Sequence, residues 1–126
     1  MLTKKKILII DDEEDICMFS KSALERTGKF NVVTSTDSVA GLQLAKSEMP
    51  DLILLDVNMP VMDGGAVAQE LSGSNATKNI PIIFLTALLK KEEVRESEGK
   101  INRHYFLAKP VSPKELAEKI ESVLNS

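Results

Sequence analysis

Short apolar runs and helix-periodic segments alternate along this chain. The apolar runs fall at roughly Lys6–Ile10, Phe30–Thr34, Leu52–Leu55, from near Pro81 to Leu85, and Tyr105–Ala108. Each has the length of a β-strand. After the first run, Ile16, Phe19, Ala23 and Leu24 recur at helical spacing, and Gly28 closes that helix. A second helix is predicted to turn Val39, Leu42, Ala45 and Met49 inward before Pro50 stops it. A third follows the loop Val57–Asp63 and shares Gly64, Val67, Ala68 and Leu71 on one face. Ser72-Gly73-Ser74-Asn75 reads as a loop. The mostly charged segment Leu88–Lys100 is predicted as a fourth helix, with a solvated face. A fifth opens with Ser112-Pro113-Lys114-Glu115, a capping box with proline at the first helical position, and buries Leu116, Ile120, Val123 and Leu124.

Strand-length runs alternating with helices predict β-α-β units around a parallel sheet. The first, third and fourth runs are almost wholly apolar, as expected where helices cover both faces. The second and fifth are mixed, as at sheet edges. Strand order 2-1-3-4-5 satisfies both conditions. The expected fold class is therefore α/β, a flavodoxin-like (βα)5 three-layer sandwich with a parallel five-stranded sheet. In that order the chain reverses direction between strands one and three, and ligands bind in the crevice at that switch point.

Composition adds bounds. A chain of 126 residues suits a single domain over residues 1–126, with 43% apolar and 28% charged residues. A net charge of −3 recommends no direct nucleic-acid partner and no anionic membrane. No apolar stretch approaches the ~20 residues that span a bilayer, and the basic start lacks the apolar core of a signal peptide. A single cysteine, Cys17, excludes an internal disulfide and fits a reducing cytoplasm; it reads as inert packing.

The candidate chemistry lies where the runs stop. The first ends at Asp11-Asp12, the third at Asp56, the fourth at Thr86 and the fifth at Lys109. If these strands are neighbours, three carboxylates, a hydroxyl and an ammonium meet at one sheet edge. Two carboxylates ~4 Å apart at an effective dielectric of ~20 repel by up to ~4 kcal/mol, so the cluster must take up protons or recruit a cation. Oxygen ligands without histidine favour a hard ion, Mg²⁺ first, with Mn²⁺ as the alternative. Phosphoryl transfer needs chiefly positioning and charge neutralisation, which this set supplies, and an aspartate can serve as the nucleophile. Asp56, single and facing the paired acids, is the candidate. Taken alone, Asp11 or Asp12 could cap the first helix, Asp63-Gly64 a turn and helix start, and His104 a surface residue.

With these residues in place the chain resembles the receiver domain of two-component response regulators, of the stand-alone single-domain type. The matching segments are Ile9-Ile10-Asp11-Asp12-Glu13, Leu54-Leu55-Asp56-Val57-Asn58-Met59-Pro60, Met62-Asp63-Gly64, Leu85-Thr86-Ala87 and Phe106-Leu107-Ala108-Lys109-Pro110. They span essentially the whole chain in the family's order. The resemblance implies that Asp56 accepts a phosphoryl group from a histidine of a sensor kinase or phosphotransfer protein. It implies that Asp12 binds Mg²⁺ directly with Asp11 assisting, and that Asp56 and the Asn58 backbone carbonyl complete the metal site. Thr86 and Lys109 would hold the phosphoryl oxygens, with Lys109-Pro110 a cis peptide bond. Phe106 would be an aromatic switch residue that turns inward as Thr86 moves. The face of the fourth helix, fifth strand and fifth helix would then bind a downstream protein; a phosphorylation-dependent dimer is left open.

Three features depart from the family pattern. Ile101-Asn102-Arg103-His104 replaces the frequent Gly-Ala before the fifth strand, which leaves the shape of that loop open. Phe106 has no hydroxyl where tyrosine is commoner. Leu88, two positions after Thr86, cannot orient water, so slow self-dephosphorylation is expected. Two other functional classes use similar residues. An aspartyl-nucleophile, Mg²⁺-dependent phosphatase would carry its nucleophile at the first strand end, in an Asp-x-Asp pattern this chain lacks. A receiver-like module that binds partners without phosphorylation would not need the complete residue set. The expected protein is thus a phosphoacceptor rather than a turnover enzyme, and with no output domain visible its output would pass through another protein.

Overall fold

The computed structural model describes residues 4–57, 59, 62–86, 100–101, 104–109 and 111–125. The strands are β1 (Lys5–Ile10), β2 (Phe30–Ser35), β3 (Leu52–Asp56), β4 (Ile82–Thr86), β5 (Lys100–Ile101) and β6 (His104–Ala108). The helices are α1 (Glu14–Arg26), α2 (Ser38–Glu48), α3 (Gly64–Ser72) and α4 (Pro113–Leu124). The sheet runs β2-β1-β3-β4-β6-β5. All neighbours are parallel except β5 and β6. The five expected strands and their order 2-1-3-4-5 are therefore present, the fifth being β6.

Alternation along the central strands divides the core in two. Ile7, Ile9, Leu52, Leu54, Ile83 and Leu85 pack with Cys17 and Leu24 of α1 and with Leu116, Ile120 and Val123 of α4. Leu8, Ile10, Ile53, Leu55, Ile82 and Phe84 pack with Ala45 of α2 and with Val67, Ala68 and Leu71 of α3. A side-chain period of two sends successive residues to opposite faces, and covering both faces makes each strand read as one apolar run.

The helices correct several expectations. The inward face of α1 is Cys17, Ser20 and Leu24, while Phe19 is 63% exposed. Ile16-Cys17-Met18-Phe19 is apolar throughout, so spacing alone cannot select a face. On α2 the buried residues are Ser38, Gly41 and Ala45, whereas Val39 and Met49 are exposed. Small residues win there because they let the helix approach the sheet. A Cβ on Gly41 would stand 2.8 Å from Ile10 Cδ1. Met49 instead closes α2 in the left-handed region, at φ 48°. On α3 and α4 the expected inward residues Gly64, Val67, Ala68, Leu71, Leu116, Ile120 and Val123 are buried, and the Ser112–Glu115 capping box is formed in both directions.

The sheet also carries an element absent from the sequence reading. Lys100 and Ile101 pair antiparallel with Tyr105 and His104, so β6 is not the outermost strand. Lys100, the expected last residue of the fourth helix, lies in this strand. The rest of that helix, including Leu88, lies outside the described residues, as do Asn58 and Pro110.

Candidate phosphoryl and cation site

Parallel register brings the strand ends together. Ile10 pairs with Leu55, which sets Asp11 level with Asp56 across the β1–β3 boundary. Asp56 pairs with Leu85, and Thr86 with Ala108, which places Lys109 just beyond the β6 end. The backbone carries these ladders past the strands. Asp11 N–H donates to the Ser35 carbonyl at 3.1 Å, Val57 N–H to the Leu85 carbonyl at 3.2 Å, and Lys109 N–H to the Thr86 carbonyl at 2.9 Å. The residues that close each ladder thus fix the directions of the functional side chains.

Asp11, Asp12 and Asp56 each offer an oxygen within 4.8 Å of the others. Asp11 and Asp56 are buried, while Asp12 is exposed at the rim. Lys109 Nζ lies 3.2 Å from Asp56 Oδ1 and 3.5 Å from Asp11 Oδ2. One ammonium therefore serves two carboxylates. Burial draws the Lys109 ammonium downward, but Asp11 and then Asp56 outweigh it, and its pKa is raised. Asp11 responds in the opposite sense. Burial pushes its carboxyl above the usual aspartate range, against the Glu13 N–H bond at 2.9 Å and the shared Lys109. Two acids around one base leave the cation over-compensated and the anions under-compensated. That shortage of positive charge, with oxygen ligands at one crevice, fits a hard divalent cation.

Thr86 is buried at the end of β4, and Gly64 lies against the Asp56 and Val57 backbone. Phe106 is partly buried and stacks on Phe84, with centroids 5.1 Å apart and planes at 23°. Of the expected site residues, Asp11, Asp12 and Asp56 are in mutual reach, and Lys109 reaches Asp11 and Asp56. Asn58 and Pro110 fall outside the described residues. Neither Asp11 nor Asp12 caps α1. The N-cap is Glu13, whose side chain makes no capping bond, and Asp11 instead accepts the Glu13 N–H.

Two supporting groups escape sequence reading. Cys17 Sγ donates to the Asp11 carbonyl at 3.3 Å. Burial, and next the Asp11 charge, push its thiol up to about 11, so it stays protonated and serves as a donor. Ser38 Oγ donates to the Met62 carbonyl at 2.7 Å, tying α2 to the loop after Asp56. Neither contact has a local sequence signal, because both partners are set by packing.

The response regulator receiver domain model matches residues 7–121. A probable transcriptional regulator ycf27 of Guillardia theta is 40% identical over 122 residues, covering 97% of this chain and 46% of that protein. The chain spans about half the length of the curated relatives it matches. Among solved structures, Vibrio cholerae chemotaxis protein CheY4 superposes with a TM-score of 0.82 at 29% identity, covering 96% of this chain and 99% of that one. The receiver domain of sensor histidine kinase PA1611 from Pseudomonas aeruginosa PAO1, which holds a magnesium ion in its active site cleft, gives a TM-score of 0.82 at 26% identity, covering 98% of this chain and 100% of that one. The sheet order, the acid cluster at the switch point and the matched span agree: this chain belongs to the response regulator receiver domain family.

Proposed function

We propose that this chain is the phosphoacceptor of a two-component or phosphorelay system. It would take a phosphoryl group from a phosphohistidine of a sensor kinase or phosphotransfer protein onto Asp56. The observation that carries this reading is the arrangement of Asp11, Asp12 and Asp56, with Lys109 shared between the two buried acids.

An Asp56 carboxylate oxygen attacks phosphorus as the P–N bond to the donor imidazole breaks. The bond electrons leave with the imidazole, and an acyl phosphate forms. Asp11 and Asp12, with the Asn58 carbonyl, would hold Mg²⁺ (or Mn²⁺). The ion supplies charge neutralisation for the phosphoryl oxygens. The magnesium in the PA1611 receiver cleft supports that assignment. Lys109, already 3.2 Å from Asp56, shifts from carboxylate to phosphoryl oxygen, and Thr86 donates its hydroxyl to another. Movement of Thr86 is coupled along β4 and β6 to Phe106, two residues before its register partner Ala108. The face formed by β6 and α4 then changes its affinity for a downstream protein. The chain acts as a signalling acceptor rather than a turnover enzyme. No described helix is long and apolar enough to cross a membrane, and a cytoplasmic site of action fits a kinase-supplied phosphoryl group.

Incubation with Mg²⁺ and acetyl phosphate, followed by intact mass measurement, tests this. One added phosphoryl group is expected in the wild type and none in Asp56→Asn. Absence of the adduct in the wild type would sink the reading in favour of a binding module, and repeated turnover of phosphate esters would favour a phosphatase.

A further inference from the structure

The backbone around the adjoining acids Asp11 and Asp12 is held at several points. The Asp11 N–H donates to the Ser35 carbonyl at 3.1 Å, which ties it to the end of β2. One oxygen of its carboxylate accepts the Glu13 N–H at 2.9 Å. Its own carbonyl accepts the Cys17 thiol at 3.3 Å. The same sulfur lies 3.9 Å from the Ser35 carbonyl, so the Asp11 oxygen has the better bond. Cys17 is 2% exposed and belongs to the core shared by β1, α1 and α4. Its N–H donates to the Glu13 carbonyl at 3.1 Å, the bond that starts α1. The first turn of α1 therefore returns to the acid pair and holds it by a side chain as well as by the chain itself.

We propose that Cys17 is a positioning residue for the cation site, its thiol holding the Asp11 carbonyl and so aiming Asp11 and Asp12 together. It offers no ligand atom of its own. The inference rests on the cation reading above, in which these two acids hold the ion. The carbonyl belongs to the peptide that joins them, and a peptide unit is planar. Holding that oxygen fixes the plane that ends on the Asp12 nitrogen. It thereby sets the direction in which the Asp12 carboxylate leaves the backbone. Asp12 is exposed at the rim, so its aim comes from the backbone more than from packing. A buried carbonyl stripped of its donor turns toward another, and the peptide plane turns with it. Mg²⁺ demands near-ideal octahedral geometry, so partners that orient its ligands contribute to its affinity. Packing alone would ask of this position only a small apolar side chain.

The test is calorimetric titration of MgCl₂ into the full chain, with thermal unfolding measured in parallel, for the wild type, Cys17→Val and Cys17→Ser. Valine keeps apolar bulk and removes the donor. Serine keeps a donor and gives up the apolar sulfur. A positioning role and a packing role therefore rank the two variants in opposite orders. Cys17→Val is expected to bind Mg²⁺ about threefold to tenfold more weakly, with the higher Tm of the two. Cys17→Ser is expected to melt a few degrees lower while keeping Mg²⁺ affinity within about twofold of wild type. Wild-type affinity in Cys17→Val overturns the proposal. Affinity that falls as far or further in Cys17→Ser also overturns it, since loosened packing would then explain the effect. If the wild type itself takes up no Mg²⁺, the cation reading fails and the Cys17 role falls with it.

Discussion

Asp11 carries the conflict built into this site. It is fully buried, shares one ammonium with Asp56, and its carboxyl is held above the ordinary range because burial outweighs its partners. The sign of the consequence follows from linkage. A carboxyl raised in the folded state binds a proton more tightly there than in the unfolded chain. Its charge therefore costs stability above the folded pKa, and the cost fades as pH falls toward the unfolded value of 3.8. Asp11→Asn keeps the shape and an oxygen for the Glu13 N–H. It should raise the Tm of the metal-free protein by a few degrees at pH 7, with the gain shrinking toward pH 4. Melting curves of both proteins across that range check this. A gain that is constant with pH, or a lower Tm at pH 7, would rule out burial as the dominant cause. A site that sacrifices stability for an unmet charge is expected where a ligand, rather than the fold, completes it.

Among the elements, α2 and α3 show how glycine sets distances to the site. A Cβ on Gly64 would lie 2.6 Å from the Asp56 carbonyl oxygen and 2.8 Å from Val57 Cα, both backbone atoms that cannot move without moving the acid. The three atoms nearest a Cβ on Gly41 all belong to the Ile10 side chain, at 2.8 to 3.1 Å, and none is backbone. Gly64→Ala is therefore expected to cost roughly 2 kcal/mol or more and to slow phosphorylation of Asp56. Gly41→Ala should cost less, about 1 kcal/mol, because its neighbours are side-chain atoms and the better helix propensity of alanine offsets part of the crowding. Urea unfolding midpoints, read beside the rate of adduct formation, distinguish them. Equal costs at the two sites would show that the close approach of Gly64 to Asp56 is not limiting.

At the scale of the whole molecule, a cation held at the proposed site would join elements far apart in sequence and should act as a stabilising ligand. Saturation at one hundred times the dissociation constant would add about 2.7 kcal/mol. The Tm of the wild type should rise with Mg²⁺ concentration, and chelation should reverse it. An Asp11→Asn, Asp12→Asn double variant should melt at one temperature with or without the ion; a wild-type Tm indifferent to Mg²⁺ would contradict the assignment. The sequence by itself missed the short antiparallel β5, but it determined five of the six strands and the order of those five, the burial of both sheet faces and the acids, hydroxyl and ammonium at the strand ends. These were legible because strand period, helix caps and the position of a polar residue at the end of an apolar run are local properties. Tertiary structure alone decided that α1 turns Cys17 rather than Phe19 inward, and that α2 approaches on Ser38, Gly41 and Ala45. It also decided that one lysine bridges two acids, 98 and 53 residues away, and that Ser38 holds a carbonyl 24 residues on. The physical reason is the same in each case. A helix apolar on several sides, or lined with small residues, gains its face only from the surface it meets, and a hydrogen bond between distant segments exists only once packing has brought them within 3 Å or so of each other.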